Sequence, residues 1–420
     1  MRRSKAATAP PPPRAATRAS GGYLAYGRQL IEDDDVAAVV QAMRGDLLTT
    51  GPAVIRFEQE LARLTGAKDA VVCSNGTSAL FIATRALGLG KGDTVIVPAI
   101  TFVATASAPH LAGAEIVFSD VDPETGLMRA CDLEESLARC PNGRAAAVFP
   151  VHYAGQSCDM PAIAKIARSR NMAIVEDAAH ALGTAWIGDK GAILPVGANV
   201  HCDMTTFSFH PVKTIAMGEG GAVTANDPDL IARLRRARNH GLVREAAEFV
   251  RSDAAFDSAG AAHPWYYELE APGFNFRISD INCALGLSQL AKLDRFVTHR
   301  RKLVAAYDEW LAPLAPAVKP LKRDARSSTG WHIYPVRIDF AEFGISRGGL
   351  MRALGCEGIG TQVHYIPVHR QPYYAARYGV AHLVGADSYY ASTISLPLHV
   401  SMDEHDVARV VELLRKFLTT

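Results

Sequence analysis

A lysine near the middle of the chain stands in surroundings that favour covalent chemistry. The run from Thr206 to Lys213 reads Thr-Phe-Ser-Phe-His-Pro-Val-Lys, and a glycine cluster follows from Gly218 to Gly221. A lone lysine after an aromatic strand is usually a solvated surface residue, but these glycines open space around it. An amine that is removed from water has a lowered pKa, so it can form a Schiff base and then shuttle protons. Lys213 is therefore the candidate nucleophile and proton carrier.

A second candidate group is an acidic pair at the end of an apolar run. The residues from Val175 to His180 read Val-Glu-Asp-Ala-Ala-His. Because the carboxyl ends of parallel strands face the ligand crevice, Asp177 is well placed for a functional role. A carboxylate there can hold a protonated pyridine nitrogen and make the ring an electron sink. The alternative is that Asp177 only caps the next helix, and the residues alone leave both interpretations open.

A third candidate group is the turn Ser74-Asn75-Gly76-Thr77-Ser78, which follows a predicted strand and opens a predicted helix. A helix start offers unpaired N–H groups and the positive end of the helix dipole, which suits a phosphate monoester. Ser, Thr and Asn at a helix start are also good N-caps, so capping alone explains the turn equally well. The chain has neither GxGxxG nor GxxxxGK[ST], which disfavours a dinucleotide site or a P-loop.

These groups are connected by alternating strand and helix patterns. The strand runs lack polar alternation, which indicates strands covered on both faces, and helical stretches lie between them, as in βαβ units around a mostly parallel sheet. The predicted strands are Ala70–Cys73, Thr94–Val97, Ile116–Phe118, Ala147–Val151, Ala173–Val175, Thr205–Phe209 and Ala222–Thr224. The predicted helices include Asp33–Met43, Ser78–Leu87 and Met160–Arg168.

The rest of the chain predicts a second, smaller α+β domain. A long amphipathic helix over Ile281–Leu311 is expected to lead into it, with strands at Trp331–Ile338, Gly360–Tyr365 and Ile394–Leu396. The last helix is predicted to begin with a capping box, Ser401-x-x-Glu404. Before these elements, Val243–Pro272 lacks sustained periodicity and predicts a long mobile loop. We expect a disordered basic and Pro-rich tail at 1–20, a large domain at 21–290 and a small domain at 291–420.

Composition narrows the class of partner. Lys and Arg together number 44 and Asp and Glu 43, so the chain as a whole has no charge that would gather nucleic acid or an acidic membrane. The seven cysteines are scattered and form no CxxC pair, which argues against a disulfide framework and a zinc site. No apolar stretch reaches the length of a membrane span, and no apolar segment follows Arg2-Arg3 as an export signal requires. We expect a cytoplasmic protein without a metal site.

The three chemical groups, in this order, resemble the DegT/StrS-type sugar aminotransferases among the fold-type I enzymes of pyridoxal 5′-phosphate (PLP). The resemblance covers nearly the whole chain from Tyr23 onward. It implies an α/β fold with a mostly parallel central sheet flanked by helices and a smaller α+β C-terminal domain. The segments that carry it are Leu48–Pro52, Ser74–Leu80, Thr101–Thr105, Glu176–Gly183, Phe207–Lys213, Gly218–Val223 and Asn275–Arg277.

The resemblance also implies a role for each matching residue. Lys213 is the lysine that links to PLP, and Asp177 pairs with the pyridine nitrogen. Glutamate is the usual amino donor, and the family builds each active site from two chains, which implies a homodimer. The remaining cofactor contacts are Phe102 near the ring, His180 beside the ring hydroxyl, Thr77, Ser78 and Ser208 at the phosphate, and Asn275 at the phosphate of the partner subunit's cofactor.

Within the family, the C-terminal segments look closest to the enzymes of pseudaminic-acid synthesis, which aminate a UDP-linked 4-keto-6-deoxy-N-acetyl-hexosamine at C4. The segments are Val151–Gln156, Trp331–Pro335, Gln362–Val368 and Ile394–Pro397. The polar and stacking side chains that are predicted to meet the sugar nucleotide are Thr50, His332, Tyr334, Gln362, His364 and Tyr365. The candidates for its diphosphate or for the glutamate carboxylates are Arg238, Arg277 and Lys322.

Other functions stay open at this point. The acceptor can be another nucleotide-linked 4-keto-6-deoxy sugar, as in the synthesis of perosamine, antibiotic sugars or lipid A sugars. Relatives with a histidine in place of the lysine dehydrate sugars, and some members are discussed as regulators without catalysis. The presence of Lys213, Asp177 and Ser208 favours transamination, because a pure binding protein has little use for this set.

Overall fold

The computed structural model describes residues 22–419, so the predicted disordered tail at 1–20 lies outside the described residues. The helices are α1 (Asp33–Met43), α2 (Pro52–Thr65), α3 (Gly76–Ala86), α4 (Ala104–Leu111), α5 (Ala130–Arg139), α6 (Met160–Ser169), α7 (Pro228–Arg238), α8 (Ser252–Ala255), α9 (Asp280–Leu290), α10 (Leu293–Leu311), α11 (Arg347–Cys356), α12 (Pro372–Tyr378), α13 (Val384–Ser392) and α14 (Glu404–Thr419). The strands are β1 (Asp69–Cys73), β2 (Thr94–Pro98), β3 (Glu115–Ser119), β4 (Ala147–Val148), β5 (Ala173–Asp177), β6 (Ala185–Ile187), β7 (Ile193–Pro195), β8 (Met204–Ser208), β9 (Gly221–Ala225), β10 (Leu242–Val243), β11 (Glu268–Leu269), β12 (Val318–Pro320), β13 (Ser327–Ser328), β14 (Tyr334–Ile338) and β15 (Thr393–Leu396).

A seven-stranded sheet in the order β1-β9-β8-β5-β4-β2-β3 forms the centre of the fold. The pairs β8/β5, β5/β4, β4/β2 and β2/β3 are parallel, and only β9 runs against its two neighbours. The predicted strands over residues 70–224 are the strands of this sheet, so the mostly parallel α/β class is confirmed. The main difference in bounds is that β4 ends at Val148 instead of Val151.

Both faces of this sheet are buried, as the lack of polar alternation predicted. Along β1, Val71 packs in the larger apolar cluster, whereas Ala70 and Val72 pack in the smaller one. Successive side chains of a strand point to opposite faces, so the two clusters lie on opposite sides of the sheet. The sheet is therefore a rigid layer, and its carboxyl edge is the surface left for a ligand.

The C-terminal part builds a separate antiparallel sheet in the order β12-β14-β15. Helix α14 packs against α10 and α11 beside it. The predicted strand over Gly360–Tyr365 is wrong, because this segment makes a single bridge, from Gln362 to Ser395. The α+β character of this part is confirmed, while the division into domains at 21–290 and 291–420 stays a prediction.

Two predicted helix features are wrong in detail. The helix over Ile281–Leu311 is two helices, because α9 ends at Leu290 and α10 begins at Leu293. The last helix is not capped by Ser401 and Glu404. Instead, the Asp403 carboxylate accepts from the Asp406 N–H at 3.0 Å, and the Asp406 carboxylate accepts from the Asp403 N–H at 3.2 Å.

The segment Val243–Pro272 contains more structure than the predicted loop. Strands β10 and β11 pair as a two-stranded ribbon at its base, and the short helix α8 lies between them. The Glu268 carboxylate accepts from the N–H groups of Val250 and Arg251, each at 2.8 Å, which ties the intervening chain to the ribbon. Across residues 22–419, no helix is both long and apolar enough to cross a membrane.

Candidate active site

A cavity of about 940 Å³ opens at the carboxyl edge of the central sheet. Its walls come from the start of α3 and from the segments that follow β2, β5 and β8, with the C-terminal part closing the opposite side. The predicted site residues that line it are Thr77, Ser78, Phe102, Asp177, His180, Ser208, Lys213, His332, Gln362, His364 and Tyr365. The structure therefore brings most of the predicted site into one place.

Lys213 lies on a tight turn after β8. Its N–H donates to the carbonyl of His210 at 2.8 Å, which fixes the backbone where the side chain enters the cavity. Removal from water lowers the pKa of the Lys213 amine to about 8, and the nearby Asp177 carboxylate opposes this shift only in part. Because a neutral amine is the nucleophilic form, Lys213 is far more reactive near neutral pH than an ordinary lysine, whose amine stays almost wholly protonated there.

Asp177 is held from two sides at the end of β5. Its Oδ2 accepts from the Thr105 hydroxyl at 2.7 Å, and its Oδ1 accepts from the Ala179 N–H at 3.1 Å. The Thr105 hydroxyl is in turn 2.7 Å from the Thr101 hydroxyl. The alternative that Asp177 only caps the next helix is wrong, because β5 is followed by a turn and then by β6. The Ala179 contact belongs to that turn, and the buried Thr105 hydroxyl orients the carboxylate from the other side.

The turn before α3 approaches the sheet unusually closely. A Cβ on Gly76 would stand 2.8 Å from the Cβ of Ser208, and a Cβ on Gly221 would stand 2.2 Å from the carbonyl oxygen of Asn75. Only glycine allows these approaches. The Asn75 side chain caps the helix by accepting from the Ser78 N–H at 2.8 Å. The earlier N–H groups have no partner within the helix, so the helix start keeps donors for an anion.

The wall contributed by histidines and tyrosines is uncharged. The rings of His180 and His332 are 4.4 Å apart, and His180 Nε2 is 3.0 Å from the Tyr365 hydroxyl. Burial and the positive Lys213 lower the pKa of His180, His332 and His364, the last to about 3. Burial raises the pKa of Tyr365. These groups therefore act as neutral hydrogen-bonding partners and stacking surfaces.

Three predicted site residues do not line this cavity. Tyr334 is buried at the start of β14, where its ring stacks on Tyr307 and its hydroxyl donates to Asp308 at 2.8 Å. Thr50 is exposed, and its hydroxyl donates to its neighbour's carbonyl at 2.7 Å. Asn275 is also exposed on its own chain and forms a backbone bridge with Asn239.

The predicted cationic partners lie elsewhere as well. The Arg238 guanidinium donates to the Glu58 carboxylate at 2.6 Å and to the carbonyl of Val72 at 3.0 Å. Lys322 is largely exposed and pairs with Glu124 at 3.4 Å. Arg277 donates to the Asn239 side chain. Within the part of the chain that the structure describes, no arginine lines the cavity.

Some residues that shape the site were missed in the sequence. Arg300 is 1% exposed, and its guanidinium donates to the carbonyls of His332 at 3.0 Å, Leu398 at 3.1 Å and Lys213 at 3.4 Å. The sequence feature that could have identified Arg300 is its position on the apolar face of α10, four residues after Phe296. The hydroxyls of Thr101 and Thr105 had no comparable signal, because threonine is common near helix starts.

One cluster of acids suggests a cation site at first sight. Among the described residues, Glu32, Asp34 and Asp35 form such a group. The Lys292 ammonium lies 3.2, 2.6 and 2.8 Å from their carboxylates, so a lysine already balances the charge. The seven cysteines all lie in the described part and none is in a disulfide.

The sequence profile that matches this chain covers residues 29–415 and is that of the DegT/DnrJ/EryC1/StrS aminotransferases. The chain belongs to this family. It is 37% identical over 396 residues to the spore coat polysaccharide biosynthesis protein SpsC of Bacillus subtilis strain 168, covering 94% of this chain and 96% of SpsC. This DegT/StrS-type chain is therefore a PLP-dependent sugar aminotransferase, as the resemblance implied.

Solved structures agree with this assignment. Helicobacter pylori PseC, an aminotransferase involved in the biosynthesis of pseudoaminic acid, superposes with a TM-score of 0.83 at 28% identity over 94% of this chain and 99% of PseC. The PLP form of the sugar aminotransferase Spr1654 of Streptococcus pneumoniae gives a TM-score of 0.81 at 25% identity over 94% of this chain and 98% of Spr1654. The DegT/StrS-type fold is thus shared along almost the whole chain.

The cavity residues of this family member fit PLP. Three features of the cavity match three groups of PLP. The desolvated lysine matches the aldehyde, and the oriented carboxylate matches the pyridine nitrogen. The helix start, which lies close to the strand that carries Ser208, matches the phosphate. A buried ring nitrogen of His180, Nδ1, has no hydrogen-bond partner among the described residues, so it is available to hydrogen-bond a ligand at this wall. Bound PLP supplies an electron sink for the carbanion at the amino acid's α-carbon. The protein's part is to position that ring, exclude water and move the proton.

The lowered pKa of Lys213 predicts how the cofactor-free protein takes up PLP. Below pH 8 the amine is mostly protonated and unreactive, so the rate of covalent capture is expected to rise about tenfold per pH unit there and to level off above pH 8. Stopped-flow absorbance measures this rate. Nα-acetyl-lysine is the control, because its ordinary amine keeps gaining reactivity up to about pH 10. A protein rate that also climbs through pH 9 and 10 would contradict the desolvated lysine.

Proposed function

We propose that this enzyme moves the amino group of L-glutamate to C4 of a UDP-linked 4-keto-6-deoxy-N-acetyl-hexosamine. The observation that carries this proposal is a large cavity in which a low-pKa lysine faces neutral hydrogen-bonding and aromatic groups. Its volume of about 940 Å³ suits a cofactor together with part of a nucleotide sugar. The biosynthetic roles stated for PseC and SpsC support pseudoaminic acid or a polysaccharide as the destination of the sugar.

The geometry of the cavity supports a role for each of its residues. Lys213 binds the cofactor aldehyde and, once freed by the donor, carries the proton from the α-carbon in the first half-reaction and back to the sugar carbon in the second. Asp177, oriented by Thr105, holds the pyridine nitrogen protonated. Phe102 would pack against the ring and His180 would lie near its hydroxyl, since both line the cavity. The phosphate is held by the start of α3, with Thr77 and Ser78, and by Ser208.

The substrate is proposed to meet the uncharged wall. His332, Gln362, His364 and Tyr365 line the cavity opposite the sheet edge and offer neutral donors and acceptors for a sugar. Tyr334 has no such role in this proposal, because its ring and hydroxyl are used inside the fold. Donor and acceptor use the same lysine in turn, which gives ping-pong kinetics.

The active form is proposed to be a cytoplasmic homodimer with shared sites, in which each chain divides into domains at 21–290 and 291–420. Asn275 and Thr50 are exposed on their own chain, which suits contacts across an interface. Apolar side chains on α1 and the segment after it are exposed, and a second copy would cover them. They are Val36, Val40, Met43, Leu47 and Leu48.

The absorbance spectrum tests the reaction class. Purified wild-type protein with PLP is expected to show the band of the lysine-linked cofactor, and L-glutamate is expected to remove it. Lys213→Ala is expected to hold PLP without that band and to lose at least about 10⁴-fold in turnover, because nucleophile and proton carrier are lost together. Circular dichroism checks that the variant is folded. A wild-type protein that forms no band with added PLP would exclude transamination, as would a band indifferent to every amino donor.

A panel of acceptors tests the sugar. We expect the UDP-linked 4-keto-6-deoxy-N-acetyl-hexosamine to give the highest kcat/KM among UDP-, GDP- and dTDP-linked 4-keto-6-deoxy sugars. Formation of 2-oxoglutarate from glutamate measures each rate. Preference for a GDP- or dTDP-linked sugar would replace this acceptor by one of the perosamine or antibiotic-sugar type. Loss of water from the sugar without consumption of glutamate would indicate a dehydratase.

Mixed dimers test the shared site. Lys213→Ala and Asn275→Ala are each expected to be poorly active alone, the second through weaker binding of the cofactor phosphate. After unfolding and refolding together, about half the dimers are mixed, and one of their two sites has both residues, so about a quarter of wild-type activity should return. Lys213→Ala mixed with Lys213→Gln is the control that cannot recover. Activity of the first mixture no higher than the sum of its parents would show that Asn275 serves its own chain.

A further inference from the structure

A chain of buried hydroxyl groups ends at the backbone of the cavity wall. The Thr393 hydroxyl donates to that of Tyr389 at 3.1 Å, and the Tyr389 hydroxyl donates to that of Tyr153 at 2.7 Å. The Tyr153 hydroxyl donates in turn to the carbonyl of His364 at 2.7 Å. Thr393, Tyr389 and Tyr153 are fully buried, so water does not compete for these bonds.

The direction of this chain is fixed at its last member. A carbonyl oxygen only accepts hydrogen bonds, so the Tyr153 O–H points to His364 and its oxygen is left to accept from Tyr389. Burial raises the pKa of both tyrosines, so neither hydroxyl ionises at ordinary pH. The chain is therefore neutral and runs one way, towards a single peptide group of the wall.

The peptide that Tyr153 holds is the one that joins His364 to Tyr365. Because a peptide group is planar, fixing its carbonyl also fixes the start of the Tyr365 backbone. The ring of His364 is held separately, by the Ser395 Oγ at 2.8 Å from its Nδ1. The rings of Tyr153 and Tyr365 pack edge to face with their centres 6.4 Å apart. Tyr153 thus places Tyr365 both through the backbone and through ring packing.

Tyr365 connects this arrangement to His180. Its hydroxyl lies 3.0 Å from His180 Nε2, whereas His180 Nδ1 has no hydrogen-bond partner among residues 22–419. A neutral imidazole carries one ring proton, and the partner of one nitrogen decides which nitrogen holds it. When the Tyr365 hydroxyl donates to Nε2, the proton is on Nδ1, the nitrogen that is free for a ligand of the cavity.

We propose that Tyr153 is a positioning residue for His180. Supported from behind by Tyr389, its hydroxyl sets the place of Tyr365, and Tyr365 sets the orientation and the proton position of the His180 imidazole. This inference rests on the proposed place of His180 near the hydroxyl of the PLP ring. It adds that hydrogen bonds behind the wall act on transfer of the amino group, although neither Tyr153 nor Tyr389 lines the cavity.

The half-reaction with L-glutamate tests this role. Stopped-flow loss of the lysine-linked absorbance band, followed over a range of glutamate concentrations, separates the limiting rate from apparent binding of the donor. Tyr153→Phe is expected to lower the limiting rate about three- to tenfold, the effect of one neutral hydrogen bond, with apparent binding within about twofold of wild type. The rate changes and the binding does not, because His180 would meet the cofactor and not the donor.

A second substitution tests the route of this effect. Tyr365→Phe removes the hydroxyl that reaches His180, so it should lower the limiting rate at least as much as Tyr153→Phe. If Tyr153 acts through Tyr365, adding Tyr153→Phe to Tyr365→Phe should change the rate by less than about twofold. Tyr389→Phe should act in the same direction but only about two- to threefold, because the Tyr153 hydroxyl keeps its bond to His364.

Tyr307→Phe is the matched control. Tyr307 is also fully buried, and its hydroxyl also donates to a backbone carbonyl, that of Pro397, at 2.9 Å. It neither lines the cavity nor belongs to the chain of hydroxyl groups. Its loss should lower the melting temperature of the cofactor-loaded protein about as much as Tyr153→Phe does, while the limiting rate stays at its wild-type value. The comparison separates positioning from stability.

Two results would overturn the inference. A limiting rate in Tyr153→Phe that equals that of Tyr307→Phe makes Tyr153 a support of the fold alone. Losses that multiply when Tyr153→Phe and Tyr365→Phe are combined place its action on another route. Should Tyr153→Phe fail to fold, Tyr389→Phe replaces it in both comparisons.

The readout also separates this inference from the proposed acceptor. Every rate is measured with glutamate, so these outcomes support or contradict the role of Tyr153 whichever sugar takes the amino group. If the wild type forms no lysine-linked band, the proposed reaction and this inference fall together before any variant is compared.

Discussion

The desolvation of one amine governs the arrangement of this enzyme. Burial lowers the pKa of Lys213 to about 8, although the Asp177 carboxylate is near enough to oppose this shift. A carboxylate that stabilised the ammonium form fully would undo the effect of burial. The Asp177 carboxylate accepts hydrogen bonds from the Thr105 hydroxyl and the Ala179 N–H. These bonds stabilise its negative charge, so Asp177 depends less on Lys213 as a partner.

Burial of the cavity also explains why the wall formed by the histidines and Tyr365 is uncharged. Burial is the main cause of the lowered pKa values of His180, His332 and His364, and the positive charge of Lys213 lowers all three further. Three neutral imidazoles keep hydrogen-bonding capacity without adding charge. This wall therefore offers a ligand its shape and neutral hydrogen bonds, and no arginine of the described residues lines the cavity.

The sequence predicted the central sheet well because buried parallel strands have a simple signature. Each strand is a short continuous apolar run, and Asp177, Ser208 and the turn at Gly76 follow such runs directly, so the strand ends located the site. The C-terminal part was harder. Gly360–Tyr365 has strand-like composition, but its backbone crosses the cavity wall and pairs only at Gln362. Tyr334 was predicted to meet the substrate, but β14 begins there and its ring stacks on Tyr307 instead of lining the cavity.

The residues that sequence reasoning missed share a physical property: their function depends on partners far away along the chain. Among residues 22–419, Arg300 has no carboxylate partner for its buried charge and instead donates to the carbonyls of Lys213, His332 and Leu398. A buried guanidinium needs several acceptors to offset its desolvation, and these carbonyls meet only after the C-terminal part has packed onto the sheet. Arg300 therefore links the backbone of Lys213 to that of His332 and Leu398 on the opposite wall. The burial that lowers the pKa of the amine likewise depends on packing between distant parts of the chain, which neither local propensity nor motif spacing contains.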